Sequence, residues 1–212
     1  MKLLLPLICF VILLSGCNQN ESTTIDDEND QLTAFIDTIA GLPLDEFIDT
    51  SYKRLLSRDP ELVMHLGLTN VVGLSKPTFT DLSSEYKAWT RKYYDAVIQR
   101  LEQFDTSQMS SEQSVNAQIY SWWLNDQRSL MDYDRFSLTA LKISSLDTVF
   151  LGLLPLSDES SVEHYVSQLE RLPTQYLALQ SHLESRQSAG IIDPQILLDN
   201  VIPYLSDAIA QA

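Results

Sequence analysis

Three histidines carry most of the imidazole chemistry this chain could perform: His65, His164 and His182. A zinc-protease helix needs H-E-x-x-H, because imidazoles four residues apart project from one face onto one metal and the intervening Glu activates the bound water. Here the residues following the histidines are Leu66, Tyr165 and Leu183, so none opens that motif. The pairs Glu163-His164 and His182-x-Glu184 could converge only from neighbouring helices. No metal ligand and no catalytic residue is assigned within these positions, and no cofactor is expected in this chain.

Other chemistries fare no better. Neither G-x-x-x-x-G-K-[ST] nor G-x-G-x-x-G occurs, so no phosphate-cradling loop can be built, and without G-x-S-x-G there is no nucleophile elbow. Paired carboxylates at Asp26-Asp27, Asp45-Glu46 and Asp158-Glu159 fall in a polar lead segment or at helix starts, where they complement the helix dipole. A formal charge of −15 and a pI near 4.4 repel phosphate backbones, which argues against a nucleic-acid partner.

The one residue with a specific chemical expectation is Cys17. It closes the run "MKLLLPLICFVILLSGC", whose apolar stretch from Leu3 to Leu14 is shorter than the roughly 20 residues that span a bilayer. Such a run followed by small residues reads as a signal peptide over 1–16. "LSGC" resembles a bacterial lipobox, which implies cleavage before Cys17 and acylation of that residue. The remaining cysteine, Cys9, falls in the segment to be removed, so no disulfide is expected. The resemblance to lipoproteins, with Asn18 as second mature residue, implies an outer-membrane anchor facing the periplasm. Residues 17–30, with "NQNESTTIDDEND", read as the lipidated cysteine and a disordered acidic tether spanning roughly 20 Å.

The body, 31–212, has to be built from helices. Six glycines and eight prolines punctuate the chain, and apolar residues recur at three- and four-residue steps. The fold class is all-α, an irregular bundle of amphipathic helices. Tyr86, Trp89, Tyr93, Val97, Leu101 and Phe104 define one face of a helix over 83–104. Ser110 and Gln113 form a capping box opening a second helix, to about Tyr133, carrying Val115, Ile119, Trp122 and Trp123. Helices are also expected over 44–56 and 60–66, the latter capped by Asp59. A further box, Ser160 with Glu163, opens a helix, and Pro173 starts another that Gly190 ends. Asp193-Pro194 opens the last, with Leu198, Val201, Leu205 and Ile209 inward and a kink at Pro203. Residues 135–158 are less periodic, a long loop or short strands. Of the aromatic pairs Tyr93-Tyr94 and Trp122-Trp123, adjacent positions point about 100° apart, so one ring of each faces the core; core packing alone is the preferred reading of the other, and the alternative is that it lines a groove or a missing partner domain. The final "SDAIAQA" carries no stop signal, so a longer protein is expected.

Three stretches together resemble a bacterial family called domain of unknown function 885: "YKRLLSRDPELVMHLGL" (52–68), "SSEQSVNAQIYSWWL" (110–124) and "YVSQLERLPTQYLALQSHLESRQSAGIIDPQILLDNVI" (165–202). The resemblance implies a mainly helical, secreted or lipid-anchored protein, similar to zinc carboxypeptidases of the H-E-x-x-H type, of which this chain would be the N-terminal helical part without the zinc half. Its partners would be the membrane, through lipid, and a peptide or the missing half. The alternative is a non-catalytic helical lipoprotein that binds a peptide or envelope partner through the Trp122 region.

Overall fold

The computed structural model describes residues 20–137 and 151–211; the signal segment, Cys17 and the middle of the less periodic stretch lie outside them. Every regular element among the described residues is helical, with no strand. The helices are α1 (Asn20–Ala40), α2 (Leu44–Leu56), α3 (Pro60–His65), α4 (Ser84–Leu101), α5 (Ser111–Leu130), the single turn α6 (Leu151–Leu153), α7 (Glu159–Ser188) and α8 (Gln195–Gln211). Short 3-10 turns cover Thr106–Gln108 and Met131–Phe136.

Apolar faces of α1, α2, α4 and α5 enclose the first core. Phe35 and Ile39 come from α1, Phe47 and Leu55 from α2, Tyr93 and Val97 from α4, and Tyr120 and Leu124 from α5. A second core gathers Met64, Phe79, Leu154, Leu179 and Val201, so α3, the loop after it, α7 and α8 pack together. The α4 face falls as its spacing predicts: Trp89, Tyr93, Val97 and Leu101 are buried, with Phe104 packed at the edge.

Several local signals act as read. Asp59 accepts from the Leu62 N–H at 3.1 Å and caps α3. Ser110 and Gln113 exchange both bonds of their box at 3.1 Å. Gly190 takes φ +74°, a left-handed backbone that suits glycine, at the end of α7.

Other expectations are corrected. Composition reads 17–30 as the lipidated cysteine and a disordered tether, yet within that span α1 begins at Asn20, and Glu28 reaches Arg58 Nη1 at 3.3 Å. Composition counts apolar area; it does not register a long-range ion pair or a helix carried forward from Phe35 and Ile39. Capping of α7 comes from Asp158 and Ser161, not from Ser160 and Glu163: Asp158 accepts from the Ser161 N–H at 2.8 Å and the Ser161 hydroxyl accepts from the Asp158 N–H at 3.0 Å. Pro173 does not start a helix, because α7 runs through it. A proline there frees the carbonyl of Leu169, and both residues are exposed, where water can satisfy it. The α8 helix, as expected for a last helix that contains Pro203, runs through that proline. Val201 is buried and Leu198 partly so; the side chains of Leu205 and Ile209 lie outside the described ones.

On α5 the apolar positions divide between core and surface. Tyr120 and Leu124 are buried and Trp123 packs beside them, while Val115, Ile119 and Trp122 face out. One residue of phase is about 100° of rotation. The tryptophan pair therefore divides between core and surface, but Tyr93 and Tyr94 are both buried, because α4 is sandwiched among α1, α2 and α5.

Candidate functional site

Where α2 ends and α3 begins, Arg58 is drawn into the protein, 5% exposed. Its Nε donates to Thr90 Oγ1 at 2.7 Å, Nη1 to Glu28 at 3.3 Å and Nη2 to the Tyr86 carbonyl at 3.3 Å. The guanidinium also lies 4.0 Å from the Tyr86 ring centroid and 4.5 Å from that of Tyr93. In return the Tyr86 hydroxyl donates to the Arg58 carbonyl at 2.9 Å. Burial raises the Tyr86 phenol above its ordinary value, an effect that the Arg58 cation opposes. Arg58 thus locks α1, the end of α2 and α4 in one arrangement.

That arrangement frames a cleft of about 520 Å³. Leu55, Leu82, Tyr94 and Met131 give it an apolar floor; Thr80, Lys87, Arg91, Gln127 and Asp134 make its rim polar. Two cations one turn apart on α4 are each matched by a carboxylate of the 3-10 turn that follows α5: Lys87 Nζ lies 2.8 Å from Asp134 Oδ2, and Arg91 Nη1 lies 2.6 Å from Asp132 Oδ1. The Arg91 hydrogen bond holds the Asp132 carboxyl below its ordinary value. Apolar floor and polar rim suit a ligand with an apolar body and hydrogen-bonding ends.

A second hollow of about 680 Å³ lies between α2 and the start of α5, edged by Asp45, Asp49, Tyr52 and Glu112. Asp45 already accepts from Gln113 Nε2 at 2.9 Å, and Asp49 pairs with Lys53 at 2.7 Å.

The histidines do not meet. His65 is exposed at the end of α3. His164 places Nε2 2.7 Å from the Pro77 carbonyl. His182 stands 18 residues further along α7, roughly 27 Å at 1.5 Å per residue, so these two cannot share an ion. Among the described residues no three His, Cys, Asp or Glu side chains group closely enough to hold a metal.

Ser137 Oγ lies 3.5 Å from His182 Nε2, and His182 Nδ1 lies 3.9 Å from Asp134 Oδ2. The order is that of a hydrolytic relay. Both spacings exceed the ~2.6–3.2 Å over which a nucleophile and its base pass a proton, and Lys87 already occupies the same Asp134 oxygen. The contacts tie the 3-10 turn to α7.

Sequence reasoning missed the cleft. Its only local signal is the Lys87 and Arg91 spacing on α4 with Asp132 and Asp134 nearby in sequence; burial of Arg58 has none.

The family described as "Bacterial protein of unknown function (DUF885)" matches residues 60–212. The chain belongs to the DUF885 family. The matched span opens at the Asp59-capped α3 and includes α4, α5, α7 and α8, so all but three of the residues that line the cleft fall within it: Leu55, Arg58 and Asp59, which also line it, precede it. The α1 and α2 helices also precede the DUF885 match, yet they complete the core around Tyr93 and Leu124. No curated protein and no solved structure matches the chain.

Proposed function

We propose that this DUF885 chain is a lipid-anchored envelope protein whose helical body forms the non-catalytic wall of a zinc-metallopeptidase-like fold, with any zinc ligands supplied from outside these 212 residues. The observation that carries the anchor is "LSGC" placed directly behind an apolar run too short to span a membrane. Acylation at more than one point gives stable anchoring, since a single chain holds only marginally at ~0.8 kcal/mol per buried CH₂. Asn18 after Cys17 supports the outer membrane as the site of that anchor, by analogy with other lipoproteins. Labelling with palmitate tests this: the native chain incorporates label and sediments with envelopes, whereas Cys17→Ala does neither. Label persisting in Cys17→Ala would refute it.

The wall reading is supported by a cleft held together by packing and ion pairs, with no group of side chains close enough to hold a metal among the described residues. The purified chain is expected to retain no stoichiometric zinc and to cleave no peptide. Metal analysis finding one tightly held zinc per chain would overturn that assignment.

A second reading, a helical lipoprotein that binds a peptide or envelope partner without catalysis, is favoured by one observation. Trp122 is 69% exposed, in line with exposed Val115 and Ile119. Under it, Trp122→Ser abolishes binding in a peptide-array screen and leaves stability within about 0.5 kcal/mol.

A further inference from the structure

The α7 helix is dressed in the wrong sense for a surface helix of an isolated domain. Its buried positions are Gln168, Gln175, Leu179 and Arg186, three of the four polar or charged. Its outward positions include Val162, Val166, Leu169 and Leu177, between 39% and 63% exposed, together with exposed Pro173. At 100° per residue these five fall within an arc of about 80°, and they run for about 22 Å along the axis. Scattered exposed apolar residues are ordinary, but a continuous stripe at steps of four, three, four and four is the pattern of a helix seam.

One edge of the stripe is acidic. Glu159, Glu163 and Glu170 are exposed and share the flank next to it, and none is in an ion pair among the described residues. The other flank turns inward through Tyr165, Leu172 and Tyr176, which pack against the second core. The only cation on this stretch, Arg171, projects roughly 100° beyond the acidic edge. A second copy is a poor occupant: an antiparallel twofold pair would set each acidic edge against its own image, on chains already carrying −15.

We infer that the outward face of α7 is a docking site for an amphipathic helix of another polypeptide segment, one whose apolar stripe is bordered by Lys or Arg. The apolar seam supplies affinity and the glutamate edge sets the register and the sign of the partner. This goes beyond the anchor and wall assignments and does not depend on either.

Two dye-labelled model helices of about 21 residues test it on the purified chain by fluorescence anisotropy. They share one Leu and Val stripe and differ only in carrying Lys or Glu along its edge. The Lys-edged helix is expected to bind roughly tenfold more tightly than the Glu-edged one. Glu163→Lys with Glu170→Lys should invert that preference, and Val166→Asp with Leu177→Asp should abolish binding of both. All four sites are exposed, so far-UV circular dichroism melts should stay those of the native chain; should the aspartate variant fail to fold, the charge-reversal variant still decides. Binding of the Lys-edged helix that survives Val166→Asp with Leu177→Asp would reduce the effect to bulk charge and overturn the inference. So would a dimer in sedimentation that Val166→Asp disperses, or uptake on zwitterionic vesicles lost in the same variant.

Discussion

Tyr120 shows how much of this protein's chemistry is spent on packing. Its hydroxyl lies 2.8 Å from Ser51 Oγ, which also donates to the Phe47 carbonyl at 2.6 Å, and its ring stacks on Trp123 at 5.8 Å. Burial raises the phenols of Tyr120 and Tyr94 well above their ordinary value of 10.0. The folded state keeps both neutral while the unfolded chain would ionise them, so the stability they contribute is complete below pH ~10 and is lost as pH rises towards their folded values. In an alkaline titration followed at the phenolate absorbance, these two of the nine tyrosines should ionise late, together with loss of helicity. Normal titration of all nine with intact helices would contradict the burial. At the acid end the sign reverses: Asp132 and Asp158, held down by Arg91 and by Ser161, stabilise above their ordinary 3.8 and release that contribution as pH falls through their lower folded values. None of this was legible from residue type, since a tyrosine is as common at a surface as in a core.

Helix ends were more readable than helix faces. The caps at Asp59 and Ser110 involve atoms three residues apart, so the sequence window that contains them contains the interaction. Asp59→Ala removes the α3 cap and also the bond from Thr80 Oγ1 at 2.8 Å, and should cost about 1–2 kcal/mol in urea denaturation. A loss under a few tenths would show that the cap contributes nothing. Pro173 misleads because proline at a helix start and proline inside a helix look alike in sequence. Only the 30 residues of α7 being continuous separates the cases. Pro173→Ala restores a donor for Leu169 and should raise stability by about 1–3 kcal/mol, read as a higher melting temperature. On α5, Val115, Ile119 and Trp122 keep helical spacing among themselves and form an outward stripe. Periodicity shows that a stripe exists and leaves open which stripe the neighbours cover.

Between the two cores the molecule is joined by polar contacts. Arg186 Nε donates to the Arg135 carbonyl at 2.8 Å, and its Nη2 lies 2.6 Å from Asp193 Oδ1 with both side chains buried. These link α7 to the turn after α5 and to the start of α8. Arg186→Leu strands a buried carboxylate and should cost about 3–5 kcal/mol, whereas adding Asp193→Leu should recover most of it. A single-variant loss below 1 kcal/mol would mean that water reaches Asp193. The same junction carries the looser Lys87, Asp134 and His182 contacts, so α7 is held to the α4 and α5 bundle by charge on one side while its other side presents the apolar seam.

What the order of residues determined unaided is local: helical class, the Asp59 and Ser110 caps, the glycine at the end of α7, and the family, whose motifs are turn and packing signals. The caps and the terminal glycine depend on atoms within about one helical turn, and the family on the order of many such local signals. Tertiary structure alone decided that Arg58 is buried with Glu28, Tyr86 and Thr90 as partners, that Arg58, Tyr86 and Thr90 line one cleft, that His164 and His182 stand far apart, and that α7 turns glutamines inward and valines outward. Those outcomes follow from contacts between residues 28 or more positions apart in the Arg58 network, where the sign of burial is set by which helix arrives opposite and not by the side chain's own polarity.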